Sequence, residues 1–154
     1  MIPTLVVAAL VLSGLVAGAL FIGLMAVQPA LRSVTPGTYI TVKQAFDRTY
    51  PPLMRPLQLV ALAVSLALTI TAGVQGKGAC TVLAGLTVLS LATNIVVTVR
   101  GDLPINVAMA SWQADNPPSD WENHRARWNA FNRIRTVAAV TAFVLLAVAS
   151  IAPH

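Results

Sequence analysis

The chain has 154 residues, of which 56% are apolar and 10% are charged, with a mean hydropathy of +0.76. Soluble domains carry about 25% charged residues, and disordered chains are polar, so this composition excludes both classes. A formal net charge of +5 is compatible with nucleic-acid binding, but the basic residues lie between long apolar runs and make no basic surface. We therefore expect a single transmembrane domain, residues 1–154, with the lipid bilayer and not nucleic acid as its partner.

Four apolar runs are long enough to cross a bilayer, which needs about 20 residues per helix. The predicted spans cover residues 2–27, 53–75, 78–99 and 134–152, with polar connections at 28–52 and 100–133. The first run has no basic start and is longer than the apolar core of a signal peptide, so we interpret it as a retained helix. Its Gly14 and Gly18 have GxxxG spacing, which predicts close helix packing inside the bundle or in a homo-oligomer.

The basic residues are distributed unequally among the connections. All of them except Lys77 lie in or beside the first and third connections. The positive-inside rule places those two connections in the cytoplasm and both termini outside, in a plasma (inner) membrane. The sequence thus predicts an all-α fold, a polytopic membrane four-helix bundle with short interfacial helices on the cytoplasmic side.

The segment after Pro117-Pro118 predicts a long helix that extends beyond the bilayer. Ser119 and Glu122 have the spacing of a capping box, and neither Gly nor Pro interrupts residues 120–152. Intervals of four and three residues place five side chains on one stripe of this helix. These are Trp121, Arg125, Trp128, Asn132 and Arg135, with His124 and Phe131 beside them.

Two short helices are expected before the second and fourth spans. One runs from Thr41 to Tyr50 and is stopped by the prolines at 51 and 52. The other begins near Asp102 and reaches about Trp112, which is too short to cross the bilayer. Asn106 lies on this second helix.

An apolar pocket with a few convergent polar groups is the usual form of a ligand site. Asn106, Asn132 and Asn94 would supply such groups at the cytoplasmic mouth of the bundle. Amides contribute little to membrane anchoring, which favours a binding role. The alternative is that the Trp and Arg residues of the stripe are interface anchors.

Metal ligation has little support in the sequence. The two histidines, His124 and His154, fall on opposite sides in this topology, so they cannot share one metal ion. CxxC and HxxxH pairs are absent from the sequence. We predict no metal site, although a haem held by His124 remains an alternative.

Two motifs resemble those of a known membrane family. Residues 102–106 resemble its N-V-P-L-N element, with Asp102 in place of the first Asn. Residues 121–136 resemble its W-x-x-W-N-x-x-R-T block, with Phe131 in place of the second Trp. Phe21 and the segment 29–31 resemble the elements that close its first span. The chain thus resembles the DUF1772, or anthrone oxygenase-like, family of four-helix integral membrane proteins.

The resemblance implies a membrane-embedded oxygenase that oxidises a small apolar aromatic substrate, such as an anthrone, with dioxygen as co-substrate and no cofactor. Arg and Asn side chains would hold the substrate oxyanion, and His124 or Asp47 would be the base. The catalytic candidates are Asn106, His124, Arg125, Asn132, Arg135 and Asp47. The substrate-binding candidates are Trp121, Trp128, Phe131, Asn94 and Tyr50. The alternatives are a non-catalytic accessory or carrier protein and a haem- or metal-dependent redox protein.

The predicted orientation can be tested with a topology reporter. Alkaline phosphatase, which is active only outside the cytoplasm, should be active when inserted at Gly76 and inactive when inserted at Asp115. The reverse pattern would show that the basic connections lie outside the cell. Insertion levels measured by immunoblot control for differences in expression.

Overall fold

A computed structural model describes residues 1–151, so the predicted end of the fourth span at Ala152 and the candidate His154 lie outside the described part. The described residues form four long helices: α1 (Ile2–Arg32), α2 (Pro36–Val74), α3 (Gly78–Met109) and α4 (Trp121–Ile151). The predicted all-α fold with four candidate membrane spans is confirmed.

The helices form a closed ring in which each packs along the next one in the chain. α4 returns to pack against α1. Small side chains such as Ala84, Ala139 and Ala142 are fully buried between the helices, which lets the backbones approach closely. Larger apolar side chains, including Leu89 and Val144, are exposed on the outer face. All four helices are long and apolar enough to cross a bilayer, and the chain is an integral membrane protein.

α2 is longer than the sequence predicts. The short helix that was expected to stop at the prolines is instead the first part of α2, which continues through Pro51, Pro52 and Pro56 to Val74. The prediction was wrong because proline removes a backbone N–H without ending a helix that neighbouring helices hold in place. Most of the expected connection 28–52 is therefore helical, and only residues 33–35 separate α1 from α2.

The third connection is also shorter than predicted. The expected short helix after Asp102 is no separate interfacial element, because Leu103–Met109 continues α3 through a π-helical turn at Thr98–Asp102. α4 begins at Trp121, one residue after the expected start, and is a long helix as predicted. Residues 110–120 form the remaining loop, and the Gln44 side chain holds its start by donating to the carbonyl of Trp112 at 3.0 Å.

The two glycines with GxxxG spacing have different surroundings. A Cβ on Gly14 would lie 3.2 Å from the ring of Phe143 on α4, so this glycine does permit close packing. Gly18 is exposed, and a Cβ there would meet nothing within 4 Å among the described residues. The pair thus does not act as one motif within the bundle.

Gly101 is the glycine on which the contact between α3 and α4 depends. A Cβ at this position would lie 2.7 Å from Cγ of Phe131, closer than real side chains approach. Gly101→Ala should therefore displace Phe131 and destabilise the bundle by about 1–3 kcal/mol. The measurement is the thermal unfolding midpoint of the protein in detergent.

Gly18→Ala is the matched control for this substitution. An exposed helical glycine gains stability on replacement by alanine, by up to about 1 kcal/mol, so the midpoint should stay equal or rise. An unchanged midpoint in Gly101→Ala would contradict the proposed close contact.

Candidate active site

A cavity of about 590 Å³ lies among all four helices, between the second half of α1 and α3 and the first half of α2 and α4. Its volume lies in the range of small-molecule sites. The wall is mainly apolar, with Leu20, Phe46, Met54 and Val99 among the lining side chains. A smaller group of polar side chains interrupts this apolar wall.

Two helices depart from regular α-geometry at the cavity, and a third contains proline there. α1 has a π-helical turn at Gly23–Val27, α3 has one at Thr98–Asp102, and α2 contains Pro51. All three places line the cavity. A π-turn inserts one residue and so rotates every later side chain relative to the earlier ones, and such turns are frequent at functional sites.

Lys43 forms the first of two ion pairs at the cavity, with the partly exposed Asp47. Its side chain is almost completely buried, and Nζ donates to both carboxylate oxygens of Asp47 at 2.6 Å and to Oδ1 of Asn106 at 2.8 Å. Nζ also lies 4.6 Å from the ring centroid of Trp128. A buried ammonium ion is very unfavourable alone, and these oxygens offset its lost hydration. The contacts connect α2, α3 and α4 at one point.

Asp102 and Arg135 form the second ion pair. Nη1 of Arg135 on α4 donates to Oδ2 of Asp102 on α3, and the Asp102 side chain is only 1% exposed. Asn94 donates from Nδ2 to the backbone carbonyl of Arg135 at 2.9 Å, which fixes the same two helices. Since separating a buried pair leaves two unpaired charges, this contact holds the guanidinium in place.

Several polar atoms of the cavity-lining residues have no hydrogen-bond partner within residues 1–151. The unpartnered N–H groups are Nε2 of Gln58, Nε1 of Trp128, Nδ2 of Asn132 and Nε of Arg135. Folded proteins leave few buried polar groups unsatisfied, so each needs an explanation. Carbonyl or hydroxyl oxygens of a bound molecule would satisfy these donors. The arrangement is suited to a mainly apolar ligand that carries a few oxygen atoms.

Six of the residues predicted for the site line this cavity. They are Asp47, Tyr50, Asn106, Trp128, Asn132 and Arg135. They come from α2, α3 and α4, and the structure brings them together at one cavity. Their catalytic or binding roles stay predictions.

The other predicted residues lie outside the cavity wall. Trp121 packs against Tyr39 with 5.6 Å between ring centroids, and the Arg125 guanidinium lies 4.4 Å from the Trp121 ring. His124 packs edge-on against Trp112, at 5.2 Å between ring centroids. These side chains pack against each other and against α2 and the loop. The stripe on α4 therefore has two parts: Trp121 and Arg125 make packing contacts, whereas Trp128, Asn132 and Arg135 line the cavity.

Phe131 and Asn94 also have structural contacts that the sequence analysis did not anticipate. Phe131 packs on the backbone of α3 at Gly101, and Asn94 binds the carbonyl of Arg135 as described above. Neither residue lines the cavity. Asn94 supports Arg135, which does line it.

Five polar residues that line the cavity were not among the predicted site residues: Lys43, Arg55, Gln58, Thr98 and Asp102. The available indication for Lys43 was its spacing of four residues from Asp47, which puts both on one helix face. For Asp102, it was the substitution in the N-V-P-L-N element, which places a carboxylate at the end of an apolar helix. Gln58 gave no comparable indication.

The comparisons with known proteins agree with the resemblance of the motifs. A profile described as anthrone oxygenase matches residues 43–145, which is well over half of the chain and includes most of the polar cavity residues. Neither a curated protein nor a solved structure matches the chain. On the strength of the profile match, the chain belongs to the anthrone oxygenase (DUF1772) family.

Proposed function

We propose that the cavity binds a flat, apolar, anthrone-like aromatic molecule and oxidises it with dioxygen. Membership of a family of oxygenases supports this coarse function. The observation that carries the proposal is the composition of this apolar cavity. Its wall contains residues with unpartnered buried N–H donors, together with the ion pair of Lys43 and Asp47. Donors of this kind match the oxygen atoms on the rim of an oxidised ring system.

In this proposal Asn132 and Arg135 hold the oxygen on which negative charge develops. Each has a buried N–H group without a partner in the described chain, and both side chains line the cavity. Fixed donors in a water-poor site stabilise a developing oxyanion strongly, because they need no reorganisation as the charge forms. The face of Trp128 offers a surface on which the rings can stack.

Asp47 is the base in this scheme. Of the two candidates that the sequence offered, Asp47 lines the cavity, whereas His124 packs against Trp112 outside it. When Asp47 accepts a proton, its own charge is lost and the ammonium of Lys43 is left to balance the new substrate anion. Proton transfer within the cavity therefore leaves its total charge unchanged.

The proposed reaction needs only the substrate and dioxygen. An anthrone has a methylene group between two aromatic rings. One C–H bond of this group breaks, its electron pair stays on the ring system, and Asp47 holds the proton. The anion adds to dioxygen through a new C–O bond, and the peroxide takes the proton back. Loss of water from the hydroperoxide gives the ketone, so one oxygen atom enters the product and the other leaves as water. Since the substrate supplies the electrons, we propose no cofactor.

Substitution of the oxyanion donors tests the proposal. Asn132→Ala should lower kcat by about 10²–10³, because one fixed donor to the oxyanion is lost. Arg135→Ala should have an effect of at least that size. Turnover is measured as oxygen uptake on addition of an anthrone, with ¹⁸O₂ incorporation into the new carbonyl as the product assay.

Asn123→Ala is the control for these variants, since Asn123 is exposed on the same helix and does not line the cavity. Its turnover should equal that of the unaltered protein. Normal turnover in both Asn132→Ala and Arg135→Ala would overturn the proposed oxyanion site. An unaltered protein that takes up no oxygen would favour an accessory or carrier role.

The role of Asp47 can be tested separately. Asp47→Asn keeps the shape of the side chain but removes the proton acceptor, so turnover should fall by about 10²–10⁴. Asp115→Asn, in the exposed loop, is the control of equal charge change. If Asp47→Asn oxidises the anthrone at the normal rate, another group removes the proton.

A further inference from the structure

The charged side chains that form ion pairs at the cavity are a balanced set. Two cations, Lys43 and Arg135, are paired with two anions, Asp47 and Asp102. The three N–H bonds of Lys43 face three acceptors, the two oxygens of Asp47 and the amide oxygen of Asn106. Lys43 therefore has no donor left for an additional anion.

Arg135 is the other buried cation of the cavity, and Asp102 balances its charge. Asp102 is buried against α4 and gives one oxygen to the guanidinium. Its second oxygen, Oδ1, has no hydrogen-bond partner in the described structure and would repel a ligand anion. Arg55 also lines the cavity but is exposed, so water and salt screen its charge.

We propose that Asp102 makes this cavity selective for uncharged aromatic molecules and excludes aromatic carboxylates. This proposal rests on the proposed function in one respect, which is that the same cavity binds the ligand. A neutral ligand leaves the two ion pairs undisturbed, and its carbonyl or hydroxyl oxygens meet the unpartnered N–H groups. A carboxylate would lose its hydration and find no uncompensated buried cation in return.

The same balance suits the proposed reaction. A neutral substrate becomes an anion only after its proton has moved to Asp47, when Lys43 is free to balance it. A substrate that enters as an anion would bring an extra negative charge before any proton has moved. Asp102 thus acts on specificity without taking part in bond making or breaking.

The test compares the binding of two probes that differ in one group, anthraquinone and anthraquinone-2-carboxylate. Binding to the protein in nanodiscs is followed by quenching of tryptophan fluorescence, because Trp128 lines the cavity. Empty nanodiscs correct for partitioning of each probe into lipid. The unaltered protein should bind the neutral probe more tightly by at least about tenfold, a difference of about 1.4 kcal/mol.

Asp102→Asn leaves the charge of Arg135 unbalanced, so it should reduce the preference for the neutral probe by about tenfold. Removal of both charges in the double variant Asp102→Asn/Arg135→Gln should restore the preference. Glu122→Gln is the control of equal charge change, since Glu122 pairs with Arg125 at 3.8 Å outside the cavity wall. Its preference should equal that of the unaltered protein.

Four outcomes would overturn the proposed selectivity: equal affinity of the unaltered protein for both probes, binding of neither probe, an unchanged preference in Asp102→Asn, or an equal change in Glu122→Gln. The first two need no variant, so the test stands even if Asp102→Asn does not fold. If the neutral probe binds selectively but anthrones are not oxidised, the proposed oxygenase function fails while the selectivity stands.

Discussion

The local compensation of buried charge is the constraint on which this molecule depends. A bundle with an apolar interior tolerates an ionised side chain only where an opposite charge or several hydrogen bonds replace water. Lys43 and Arg135 meet this condition through partners that lie within the bundle. Because Asn106 joins Lys43 to α3 and Asp102 joins Arg135 to it, the charges also fix three helices around one cavity.

The sequence predicted the four helices well, because long apolar runs have few alternatives in a membrane. It failed at the helix ends near the cavity. Local sequence rules predict that a helix ends at Pro51-Pro52 and that another begins at Pro104. In the structure α2 and α3 continue through these prolines, because neighbouring helices pack against them. The π-turns at Gly23–Val27 and Thr98–Asp102 likewise were not predicted by any local sequence pattern.

The candidate site was predictable in part for a related reason. Helical spacing placed Trp128, Asn132 and Arg135 on one stripe, and all three line the cavity. The same spacing could not show where the stripe leaves the cavity, and Trp121 and Arg125 pack on each other outside the cavity wall. Ion pairs between distant segments, such as that of Asp102 with Arg135, cannot be predicted from residue spacing within one helix.

The prolines of α2 have a mechanical consequence. Pro51, Pro52 and Pro56 cannot donate to the carbonyls of Asp47, Arg48 and Pro52, so two consecutive turns of the helix have lost backbone hydrogen bonds. This is the stretch of α2 that lines the cavity, while the segments before and after it are regular helix. Bending is easiest where the ladder is weakest. The part of α2 that is easiest to bend thus forms part of the cavity wall.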